Sequence, residues 1–261
     1  MNDIIQLAFA SLFILLITQS LTLAIITTFL MCIFISYAFI NNKLPNLSLF
    51  GWIKGISVFI PIILYTCYPY LNQSINIPTL FFTIVLALNI LEPPLLIQLY
   101  CKEPLSIING ILTIILALYT PILSFDKKIG FITFNNHWLW TLSNTAVLGS
   151  FYLFNDKYNT TPSVQKWLLF AIAFPTIFSI LMKSTNLWLP LRVYSLALVL
   201  FMYSNPSLNK IMTNKNDRYL TDFTKDRYNW LRLVSVITNI GLVAAMVKHG
   251  NKNTFIDYLL N

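Results

Sequence analysis

Charge is scarce in this chain. Only 10% of its 261 residues are Asp, Glu, Lys or Arg, where an ordinary soluble domain carries about 25%. A soluble globule of this size would lack the charge to cover its surface. Glycine is scarce too, at seven residues, and cysteine scarcer, at three. These counts exclude collagenous, low-complexity and disulfide-framework proteins. Cys32, Cys67 and Cys101 lie far apart and form no CxxC pair, so they read as packed thiols. The two histidines, His137 and His249, stand in separate segments, and neither a metal site nor a cofactor is expected from them. No glycine-rich phosphate loop, dinucleotide fingerprint, HExxH or GxSxG occurs. Lys54 and Lys248 stand near the ends of apolar stretches, where a retinal-type Schiff base is not expected.

What fills the chain is apolar residue, 57% of the total, with 15% aromatic and a mean hydropathy of +0.70. This composition predicts an all-α, polytopic transmembrane helix bundle in a single domain over residues 1–261. A helix needs about 20 apolar residues to cross the hydrocarbon. The run from Ile4 to Ile40 fits two such spans, with Gln19-Ser20 at the break. Further spans are expected at 51–71, 79–100, 106–125, 136–154, 165–182, 187–204 and about 229–248. The total is nine, or eight if the first run is one tilted helix. Pro61, Pro93, Pro94, Pro121, Pro175 and Pro190 fall within these stretches and predict several kinked helices. The N-terminus has neither a basic region nor a small-residue cleavage site before its apolar run, so that run reads as retained membrane segment.

The basic loop at about 205–228 holds Lys210, Lys215, Arg218, Lys225 and Arg227. By the positive-inside rule it should be cytoplasmic. Abundant Ile and Asn fit an AT-rich genome, and the cytoplasmic membrane of a bacterium is the expected location. The net charge of +8 follows from this topology. Anionic lipid is an adequate partner and no nucleic acid is implied. The sequence leaves open a homo-oligomer or a partner subunit.

Polar residues inside spans are costly and mark candidate sites. Glu92 lies past the middle of its span, with Asn89 one turn earlier and Pro93-Pro94 directly after it. An acid beside an interrupted helix is an arrangement found at transporter binding sites. His137, Trp140 and Asn144 share one helical face, as do Trp188, Arg192 and Ser195. Asn109 adds an amide near the start of its span. At 1.5 Å per residue, Arg192 should lie roughly 8 Å below the non-cytoplasmic end, Asn144 roughly 12 Å and Glu92 roughly 20 Å. These depths favour a cavity with Arg192 near its mouth and Glu92 at its base over a direct ion pair.

The segments Leu86–Glu92, Ile108-Asn109-Gly110, Trp138 to Asn144 and Leu189-Pro190-Leu191-Arg192 together resemble a family of uncharacterised bacterial integral membrane proteins, a domain of unknown function. The resemblance spans about residues 80–205. It implies that the Asn-x-x-Glu, Asn-Gly and Arg positions act together, and assigns no activity.

Three functions compete. The first is a transporter, or the membrane subunit of one, for a small polar or anionic solute. Asn89, Glu92, Asn109, His137, Trp140, Asn144, Arg192 and Ser195 would form its site, with Glu92 coupling transport to protons. The second is a membrane-embedded enzyme acting on a lipid or prenyl substrate, with Glu92 as general acid or base. It lacks the second mid-membrane carboxylate such chemistry usually needs. The third is a structural or assembly subunit in which Glu92 is only hydrogen-bonded.

Overall fold

The computed structural model describes residues 3–40, 60–71, 78–96, 103–134, 137–154, 162–204, 225–250 and 253–260. The described residues are mostly helical. In chain order the helices are α1 (Asp3–Gln19), α2 (Leu21–Ile40), α3 (Ile60–Leu71), α4 (Thr79–Leu96), α5 (Pro104–Leu118), α6 (Trp138–Phe154), α7 (Pro162–Leu181), α8 (Trp188–Ser204), α9 (Lys225–His249) and α10 (Phe255–Leu260). The break at Gln19-Ser20 separates α1 from α2, as expected. Most of the basic loop, 205–224, lies outside the described residues, as does the first part, 51–59, of the span expected at 51–71.

The helices pack as neighbours around α6, α7 and α8. α7 lies against α8 and α6, α9 against α6 and α5, α4 against α5, and α1 against α8 and α2. Two helical stretches, Thr185–Met202 and Asn229–His249, are long and apolar enough to cross a membrane by length and composition. Large apolar side chains also point away from the protein. On α1, Phe9, Leu12, Phe13 and Leu16 are exposed; on α9, Val234, Ile237, Ile240 and Val247 are. Contiguous apolar surface of this kind marks a contact with lipid or protein.

The segment after α5 departs from expectation. The span expected at 106–125 stops being helical at Leu118. The chain instead forms a hairpin, β1 (Ser124–Asp126) antiparallel to β2 (Phe131–Thr133), with Phe125 opposite Ile132. Its turn needs Gly130, whose φ is +75°, a conformation open to glycine and costly for other residues. Asp126 serves the turn by accepting from the Lys128 amide (2.8 Å) and ties the hairpin to the start of α8 by accepting from Asn186 Nδ2 (3.0 Å). Thr133 donates to the Asn186 carbonyl at 2.6 Å, and Tyr65 of α3 donates to the Ile132 carbonyl at 2.7 Å. Phe131, Ile132 and Phe134 are buried. Thus an apolar hairpin is packed into one end of the bundle. The C-terminal α10 returns to the same end. Its amides are capped by Asp257, which accepts from Asn253, Thr254 and the Thr254 hydroxyl, close to a capping box. Thr254 also pairs with Pro121.

The prolines stand at different places along the helices. Pro190 sits in the first turn of α8, where the missing N–H would be unbonded in any case, and Pro61 lies in α3. Pro121 follows α5, Pro93 and Pro94 lie in the last turn of α4, and Pro175 is interior to α7.

Candidate functional site

A cavity of about 110 Å³ opens between α3, α4, α6 and α8, with Leu123, from the segment that leads into the hairpin, on its wall. Three of the polar residues singled out by sequence line it together: Asn89 on α4, Asn144 on α6 and Arg192 on α8. Each helix contributes a face one to three turns long. The residues run from Phe82 to Ile90 on α4, Asn144 to Tyr152 on α6 and Trp188 to Leu196 on α8. The helical repeat places Asn144 and Leu148, or Arg192 and Leu196, on the same wall. Most of that wall is aliphatic or aromatic, so its few polar groups set its chemistry.

These groups differ in how far they are already engaged. Tyr65 donates to Ile132, and Trp188 donates its indole N–H to Thr176 Oγ1 at 2.8 Å. Asn89 donates to the Val85 carbonyl of its own helix at 3.2 Å. Arg192 donates one N–H to the Ala171 carbonyl of α7 at 2.8 Å. The same carbonyl accepts from Ser195 at 3.0 Å, so Ser195 and Arg192 are anchored side by side against α7. A guanidinium has five N–H donors, and Arg192 makes no ion pair among the described residues. Asn144 is 2% exposed, and its Oδ1 has no hydrogen-bond partner. A buried amide without partners is costly, and native structures rarely keep one without a reason.

Other expected site residues lie elsewhere. Glu92 is half-buried one turn beyond Asn89, outside the cavity lining, and is engaged with other residues. Ser195, on α8, stands behind the wall and donates to the Ala171 carbonyl of α7. Trp140 donates to the Leu116 carbonyl at 3.1 Å and packs edge-on against Trp188 and Phe134. His137 precedes α6 and is half-buried against Phe134. His137 and Trp140 line a different cavity of about 120 Å³ at the hairpin end, together with His249, Met246 and Tyr119. Among the described residues no group of three His, Cys, Asp or Glu is placed to hold a metal.

Asn109 belongs to a second polar cluster. It donates to the Val147 carbonyl at 3.2 Å and accepts from Asn239 of α9 at 2.9 Å. Asn239 also donates to Ser150 at 2.9 Å, and Ser150 meets Ser235. One to two turns away, Arg232 pairs with Glu103 and donates to Ser106 at 2.6 Å. This network joins α5, α6 and α9, and its amides are bonded to one another.

Sequence reasoning missed Tyr65, Tyr152 and Trp188 as cavity residues and Arg232 as a buried charge. Arg232 stands near a span end, where a cation is ordinarily solvated. Its burial depends on Glu103 and Ser106, more than a hundred positions away, and no local pattern reveals that. Trp188 was visible, four residues before Arg192 on the same face, and passes for an interfacial aromatic.

No protein-family model matches the chain, and neither a curated protein nor a solved structure matches it.

Proposed function

We propose that this chain is a polytopic membrane protein that binds and transports a small polar or anionic solute, and that Arg192 holds its negative group. The observation that carries this reading is the cavity in which a guanidinium with spare donors and an unpartnered buried amide face the same space. A guanidinium fork suits carboxylate or phosphate oxygens. Asn89 and Asn144 hydrogen-bond the solute. The exposed apolar faces of α1 and α9 support a lipid surrounding, as does the scarcity of charge. In this reading the bundle spans the bacterial cytoplasmic membrane eight or nine times with the 205–228 loop inside. Glu92 couples binding to protons from its place one turn beyond the cavity.

Uptake of labelled small anions into proteoliposomes under an imposed pH gradient tests this proposal. Arg192→Gln should abolish uptake. Glu92→Gln should keep binding and lose the pH dependence. Uptake that is the same in the wild type, in Arg192→Gln and in empty vesicles would overturn it.

A further inference from the structure

We infer that the cavity takes a short-chain hydroxymonocarboxylate, with its carboxylate on Arg192 and its hydroxyl on Asn144. The inference rests on the solute-binding reading above and narrows it to a chemical class.

The first argument is charge. Among the described residues, Arg192 is the single ionised side chain lining the cavity, and none of them on its wall is a lysine, histidine, aspartate or glutamate. Charges in an apolar enclosure interact strongly and are costly to leave uncompensated. One monoanion balances one guanidinium. A dianion such as phosphate leaves a net negative charge in the cavity. A zwitterion brings an ammonium that has no carboxylate in the lining to meet it.

The second is hydrogen bonding. The Arg192 fork has donors to spare after its bond to Ala171, in the planar arrangement that fits a carboxylate. The Asn144 carboxamide makes no hydrogen bond to the described residues, and its Oδ1 is fully enclosed. An amide offers an acceptor and donors together. A hydroxyl in the cavity accepts from the amide N–H as the side chain stands, and donates to the enclosed oxygen only once the Asn144 side chain turns.

The third is shape. The rest of the wall is aliphatic, with Val85, Leu86, Ile90, Leu148, Val193 and Leu196. The volume of about 110 Å³ exceeds what one water needs by roughly an order of magnitude. It is small enough that a body of a few carbons fills it.

The test uses the full chain in lipid nanodiscs and calorimetric titration with lactate, propionate, alanine and inorganic phosphate. Lactate should bind at least tenfold more tightly than propionate, which lacks the hydroxyl. It should also outbind alanine and phosphate. Asn144→Leu should bring lactate down to the affinity of propionate while leaving propionate within twofold, which also shows that the variant is folded. Arg192→Gln should remove both. Equal binding of lactate and propionate by the wild type overturns the hydroxyl assignment. Tighter binding of phosphate or alanine overturns the monocarboxylate class. In either case loss of that binding in Arg192→Gln leaves the anion-binding reading standing. If none of the four probes binds the wild type, the inference is overturned; the broader reading then stands or falls on the uptake measurement.

Discussion

Two polar regions of this bundle use the same residue types to opposite ends. Around Asn109, Asn239, Ser150 and Arg232, amides, hydroxyls and a guanidinium bind each other and tie α5, α6 and α9 together. Around Asn144 and Arg192, an amide and a guanidinium face a cavity and leave bonding capacity unused. Polar groups that satisfy one another act as glue between apolar helices. Polar groups that do not are held for something else. Residue type therefore separates the two regions poorly, and the count of bonds made separates them well.

That comparison can be broken or sharpened by substitution. The largest effect is expected at Arg192. Arg192→Gln should lower solute affinity about a hundredfold, which corresponds to about 2.7 kcal/mol, and leave the melting temperature unchanged or raised. Removing a half-buried charge that has one hydrogen bond relieves part of its desolvation. A large fall in melting temperature would instead place Arg192 among the structural groups. Next comes Asn239→Leu, which strips Asn109 and Ser150 of a shared donor. It should destabilise the fold by about 1–3 kcal/mol, read by thermal unfolding in detergent, with solute affinity unchanged. If affinity falls and stability holds, the two regions have been assigned the wrong way round. Asn144→Leu should leave stability unchanged or raise it by up to about 1 kcal/mol, because it breaks no bond and removes a buried amide that lacks a partner.

Much of the helical order was legible. The break at Gln19-Ser20, the helix carrying Asn89 and Glu92, and the starts near Trp138 and Trp188 follow from long apolar runs and their polar punctuation. The hairpin at 124–133 was not, although its signals are present. Asp126-Lys127-Lys128 and Gly130 mark a turn, and Phe125 and Ile132 flank it. Phe131 to Phe134 are too few to announce a strand, and they are buried only because Tyr65 and Asn186 bind the hairpin from other helices. Of the residues expected at the candidate site, Asn89, Asn144 and Arg192 line one cavity. The sequence grouped them with Asn109, His137, Trp140 and Ser195, which the fold sends to other places.

By itself, the sequence determined the chemistry available. Few charges and long apolar runs dictate helices with apolar faces, and they make each intrahelical Asn, Glu or Arg conspicuous. The tertiary structure alone decided which of these residues meet. Helices apolar on nearly every side carry no strong stripe to set their rotation, so packing sets it. The rotations of α4, α6 and α8 turn Asn89, Asn144 and Arg192 into one cavity. Those of α5 and α9 close Asn109 and Asn239 on each other.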